Sequence, residues 1–200
     1  MNINILVDKL PTDYEGLKIN TNFRSFILFE LLMQDREIKK EDKISLALDL
    51  FYDEFPRDIK KAFDGIIWFY TRGKKIKEEK NIENKRENNI KRIYSYEHDA
   101  DLIYTAFLDQ YKLDLNDVEY LHWFKFKAMF EGLKSENKFC EIMGYRAVDI
   151  SKIKDKEEKK RYKKLQREYA LPDDRTEEEK ERDFADALWW KEMILWNFWN

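Results

Sequence analysis

Turn-forming residues are scarce in this chain, with five glycines and three prolines among 200 residues. That leaves little material for a many-stranded β fold, which needs a turn every few positions. A single cysteine, Cys140, allows no internal disulfide and fits a reducing compartment. Histidine occurs only as His98 and His122, and no C-x-x-C, H-E-x-x-H, G-x-G-x-x-G or G-x-x-x-x-G-K-[ST] pattern is present. No run approaches the roughly 20 apolar residues that a membrane span requires. The first residues, MNINILVDKLPTDYEG, lack the basic start, long apolar core and small-residue cleavage site of a signal peptide. Acidic and basic residues interleave to a net charge of −3, so no overall field favours nucleic acid or a membrane surface.

Charge and aromatic rings are abundant: 40% of residues are charged and 16% aromatic. Disorder driven by charge normally comes with few aromatics, so the combination points to a folded, soluble, intracellular protein with a charged exterior. Helical periodicity supplies the class. Ile44, Ala47, Leu48 and Phe51 have i, i+3, i+4, i+7 spacing, with an end near Phe55-Pro56. Ile59, Ala62, Phe63, Ile66, Ile67 and Tyr70 repeat the pattern up to Gly73, which predicts an antiparallel helix pair. Ala100, Ile103, Tyr104, Phe107 and Tyr111 form a third stripe. FRSFILFELLMQ (23–34), preceded by Thr21 and Asn22 as caps, is apolar on nearly every side and reads as a buried helix. Residues 3–7 read as a strand that Leu17 to Ile19 would pair with in a short hairpin.

The segment 118–133 follows the turn signal at 114–117 and reads as a helix without a clean polar face. Such a helix is central in a fold or covered by a partner, and Trp123, Phe124, Phe126 and Phe130 are expected mainly in the core. Gly132 should weaken its end, and a short helix from 138 should stop at Gly144 in a left-handed cap. Residues 151–171 form a charged helix whose apolar side is limited to Ile153, Tyr162, Leu165 and Tyr169, so it should pack lightly. Residues 74–92, KKIKEEKNIENKRENNIKR with its flanks, hold isolated isoleucines only and read as a solvated loop. Two regions follow, 1–150 with this loop inside it and 151–200 as a charged and aromatic extension. The expected fold is mainly α: an irregular multi-helix bundle with a short N-terminal β-hairpin and a C-terminal helical extension.

Little here can carry catalysis. Glu97, His98, Asp99 and Asp101 are the densest set of metal-ligand types, but only Glu97 and Asp101 would share a helix face, and acids are expected at a helix start anyway. His122 has no nucleophile or base at a motif spacing and reads as structural. Cys140 occupies an apolar helical position and reads as a small core residue. No catalytic, cofactor-binding or metal-binding residue is therefore assigned, no cofactor is expected, and the chain is read as a non-enzyme. The last turns offer more: Thr176 and Glu179 make a capping box that starts a helix ending in FADALWWKEMILWNFWN. Aromatic and aliphatic residues cover almost its whole circumference. One side, Leu188, Trp189, Trp196 and Trp199, could dock on the protein's own core, leaving Trp190, Ile194, Leu195 and Phe198 exposed or partnered. Trp190, Ile194, Trp196, Phe198 and Trp199 are taken together as the candidate partner-binding set, toward a client or a second copy.

Three blocks in order, DADLIYTAF (99–107), LHWFKFKAMFEGL (121–133) and FCEIMGYRAVDI (139–150), joined by INTNFRSFILFELLM (19–33) and DKLPTDYEG (8–16), resemble the Gp15-type proteins of tailed bacteriophages infecting Gram-positive bacteria. The resemblance covers most of residues 1–149 apart from the charged loop and supplies no catalytic residues. It implies a helical protein of tail assembly, a chaperone that binds the tape-measure protein, with the tail-tube protein as a further partner. It also implies a host-cytoplasmic location and absence from the mature virion. A structural tail component and a small phage regulator of a host protein are the competing readings.

Overall fold

The computed structural model describes residues 3–74 and 92–172. The charged stretch 75–91 and the C-terminal residues 173–200 lie outside the described residues. The candidate set Trp190, Ile194, Trp196, Phe198 and Trp199 falls in the latter. Seven α-helices and one two-stranded hairpin are formed among the described residues, and the contacts divide them into two units.

The first unit comprises residues 3–74 and 119–131. Its hairpin pairs β1 (Asp13–Tyr14) with β2 (Leu17–Lys18), turning through Glu15 and Gly16, both at positive φ. That register corrects the expectation for residues 3–7, which form a turn instead of a strand. The cause is local. The Asn4 amide donates to Asp8 Oδ2 (2.8 Å), and Asn4 Oδ1 accepts from the Leu6 amide (3.0 Å), so side chains take the backbone groups a strand would need. Leu6 is left 88% exposed.

Helix α1 (Phe23–Gln34) starts at Asn22, whose side chain accepts from the Arg24 amide. Phe23, Phe26 and Phe29 are buried, but Leu28 is 49% exposed, so α1 is not enclosed on every side as its composition suggested. Helix α2 (Lys40–Phe51) ends four residues before the expected Phe55-Pro56 boundary. There Tyr52 turns extended and donates its hydroxyl to Ala62 O at 2.7 Å. That bond pins α2 to α3 (Ile59–Tyr70), which Asp58 caps through the Lys61 amide.

Contrary to the helix expected over 118–133, residues 119–122 do not join the following helix, because they pair with residues 21–23. The Phe23 amide donates to Leu121 O (2.9 Å), the Trp123 amide to Thr21 O (2.8 Å), and the Thr21 and Tyr120 hydroxyls meet at 2.7 Å. Helix α5 therefore runs Trp123–Glu131. It is central to its unit: Trp123, at 0% exposure, stacks on Phe26 at 4.8 Å, and Phe126 stacks on Phe23 at 4.8 Å. Trp123 Nε1 donates to Tyr70 O at 3.3 Å, which satisfies the indole inside an otherwise apolar cluster.

The second unit comprises residues 92–118 and 132–172. Helix α4 (Ala100–Tyr111) buries Ile103 and Phe107 of the expected stripe together with Ala106, while Tyr104 and Tyr111 are half-buried and Ala100 is exposed. Helix α6 (Lys138–Ala147) continues past Gly144, which has ordinary helical φ and whose carbonyl accepts from the Val148 amide. The expected left-handed cap at Gly144 is thus absent, and the extra turn carries Arg146 into the interior. The charged helix also begins later than expected. Asp149 accepts from the Ser151 amide and hydroxyl (3.0 and 2.6 Å), holding a 3₁₀ turn at Ile150–Lys152. Asp155 then caps α7 (Lys156–Glu168) through the Glu158 amide. No residue of α7 is buried, in line with light packing. No helix among the described residues is long and apolar enough to cross a membrane.

Candidate functional site

The side chains with chemical potential are occupied structurally. Asp99 receives Arg146 in a bidentate pair, Nη1 to Oδ2 at 2.6 Å and Nη2 to Oδ1 at 3.0 Å, with side chains only 2% and 8% exposed. Arg146 Nε also donates to Tyr169 O (2.6 Å) and Nη1 to Ile93 O (3.1 Å), so four donor contacts of the guanidinium converge on α4, the preceding loop and the end of α7. The Ser95 amide completes Asp99 at 2.9 Å, while Ser95 Oγ accepts from the Glu97 and His98 amides. Of the four residues weighed as metal ligands, Asp99 is thus inside this lock, and Glu97, His98 and Asp101 are exposed around it. Among the described residues no group of three or more His, Cys, Asp or Glu is placed to hold a metal.

His122 is a structural histidine with a defined tautomer. Its Nδ1 accepts the Phe124 amide at 3.0 Å, so Nε2 carries the proton and donates to Pro11 O at 2.9 Å. Burial pushes its pKa below the usual imidazole value, opposed by the bond to Pro11. Burial likewise pushes the Cys140 thiol up, with Glu136 adding to the effect, which disfavours the reactive thiolate. Neither residue is brought beside a nucleophile–base arrangement.

Apolar side chains are exposed at the surface of the first unit. On α1, Phe23, Phe26 and Phe29 face the core, so helical geometry turns Ile27, Leu28 and Leu31 outward in a stripe. Ile27 and Leu31 are half-buried and Leu28 is exposed. The N-terminal turn adds Leu6 and Val7, beside a depression of about 320 Å³ lined by Ile5, Leu10, Tyr120 and His122 among others. In the second unit, α7 turns Tyr162, Leu165 and Tyr169 inward and a row of cations outward.

Neither the buried pair nor the outward α1 stripe was read from the sequence. Asp99 and Arg146 lie 47 residues apart. Their only local signal is an arginine on the same face of α6 as the buried Phe139 and Ile142. Leu28 is indistinguishable by type from its buried neighbours.

No curated protein and no solved structure matches the chain. The sequence does match a family described as Bacteriophage Gp15 protein over residues 6–171, a span that takes in both units and stops just before the acidic and aromatic C-terminal segment. With far more than half of its length matched, the chain belongs to the Bacteriophage Gp15 protein family.

Proposed function

We propose that this chain is a phage tail-assembly chaperone that binds the tape-measure protein and keeps it soluble while the tail tube polymerises around it. Membership of a phage protein family supports the setting. The observation that carries the binding role is the outward stripe Ile27, Leu28 and Leu31 on a helix whose opposite face is locked in an aromatic core. A tape-measure protein is a long helical polymer with apolar stripes that need cover until tube subunits enclose it. Amphipathic helices are recognised by apolar faces with i, i+3, i+4 anchors, and a strongly charged exterior keeps such a binder soluble. The aromatic set Trp190, Ile194, Trp196, Phe198 and Trp199 supplies the second, adaptable contact. The activity is binding without catalysis, exercised in the host cytoplasm, with the chain released before the virion matures.

The test is a pull-down of the phage's tape-measure protein with the full chain, paired with mass spectrometry of purified virions. The proposal expects capture of the tape measure and absence of this chain from particles. A chain retained stoichiometrically in virions would make it a structural tail component. Capture of a host protein and no tail protein would make it a host-directed regulator.

A further inference from the structure

Helix α7 carries seven lysines and arginines against three glutamates, a net charge of +4. At 3.6 residues per turn, Lys156, Lys160, Lys163, Lys164 and Arg167 fall within about 100° of arc. All five are exposed, and none forms an ion pair with another described residue. The rotation of the helix is fixed. Gln166 Nε2 donates to Tyr145 O (2.9 Å) and Val148 O (2.7 Å) at the end of α6, and Tyr169 O accepts from Arg146. With Tyr162, Leu165 and Tyr169 held inward, the cationic row has to face away from the unit. Five like charges so close together repel one another, which an acidic partner would relieve.

The chain itself supplies such a partner five residues beyond the end of α7 at Glu168. Residues 173–183, DDRTEEEKERD, hold seven acids against three bases, a net charge of −4. In the sequence, Pro172 disfavours continuing the α7 direction, and the Thr176–Glu179 pair is the pattern expected of a capping box. With 173–176 as the reversal, the seven residues 177–183 would span ~10 Å as a helix, the same as the ~10 Å rise from Lys160 to Arg167, so a segment turned back after Pro172 would match that part of the cationic row in length as well as charge. We propose that residues 173–183 dock in cis along the outward face of α7, with Glu177, Glu178 and Glu181 against Lys160, Lys163, Lys164 and Arg167. The docked strap neutralises the row and delivers the aromatic stretch 184–199 from the Lys156 end of α7, giving that stretch a fixed point of departure. Nothing in this rests on the identity of the client.

Zero-length carbodiimide cross-linking of the purified full chain, read by peptide mass spectrometry, tests it. Cross-links between Lys160, Lys163 or Lys164 and Glu177, Glu178 or Glu181 are expected in the monomer band, and are expected to vanish at ~1 M salt, where screening is nearly complete. Glu177→Lys/Glu178→Lys/Glu181→Lys should abolish them without touching α7. Combining that triple change with Lys160→Glu/Lys163→Glu/Lys164→Glu should restore carboxyl–amine pairs with the partners exchanged. Absence of these cross-links, or their confinement to a dimer band, would overturn docking in cis. So would binding of a DNA duplex by the parent chain that the acidic-segment variant leaves unchanged, because the row would then be open to a phosphate backbone.

Discussion

Replacing Arg146 with alanine removes one side chain that holds three parts of the second unit together. The guanidinium makes two charge-assisted bonds to Asp99 and one each to the carbonyls of Tyr169 and Ile93. Asp99, 2% exposed, would keep only the Ser95 amide. Truncating one member of a buried ion pair costs about 3–5 kcal/mol, chiefly because the surviving charge stays buried and unpaired. That is a fifth or more of the stability of a typical domain, about 5–15 kcal/mol. Arg146→Ala should therefore lower the urea midpoint markedly, and hydrogen exchange should place the loss in residues 92–118 and 132–172. Arg146→Met combined with Asp99→Leu should recover much of the loss, since an apolar pair leaves no orphaned charge. An Arg146→Ala variant within about 1 kcal/mol of the parent would refute the lock, as would simple additivity of the two single changes.

Three further outcomes follow from the same geometry. His122 has a lowered folded-state pKa, so the unfolded chain binds more protons below about pH 6.5, and stability should be full above that value and fall as pH drops through the folded pKa. A pH series of thermal melts should show this slope, and His122→Ala should lose it along with about 1–2 kcal/mol from the forfeited amide cap and Pro11 bond. Gly65→Ala, normally favourable inside a helix, should destabilise by about 1–3 kcal/mol, because the new methyl would meet Tyr52 Oη at 3.0 Å and Tyr14 Cβ at 3.1 Å; a raised melting temperature would show that both tyrosines can yield. Leu28→Asp should leave stability within about 0.5 kcal/mol, since the site is exposed, while weakening tape-measure capture in a titrated pull-down.

Helices with a clean stripe were legible because their periodicity is local. Ile44 to Phe51, Ile59 to Tyr70 and Ala100 to Tyr111 each fold where 3.6-residue spacing puts them. Segments whose backbone groups find distant or side-chain partners were not legible. Residues 119–122 left the helical pattern to bond with residues 21–23, about a hundred positions away. Asn4 and Asp8 turned an apolar, β-branched run into a knuckle, and Asp149 held off the start of α7. The aromatic content of α5 was read as core from its lack of a polar face, and Trp123 and Phe126 are fully buried. On α1 the same all-round apolarity concealed an outward stripe, because composition does not tell which side of a helix its neighbours cover.

Co-expression of the tape-measure protein with this chain tests the central claim most directly, with the soluble fraction of the tape measure as the readout. The account predicts that the parent chain raises that fraction and co-purifies with it. Trp190→Ala/Trp196→Ala/Trp199→Ala should lose both effects while circular dichroism and the melting temperature stay near parental values. A tape measure equally soluble without this chain would contradict the chaperone reading, and unfolding of the triple variant would return those tryptophans to the core.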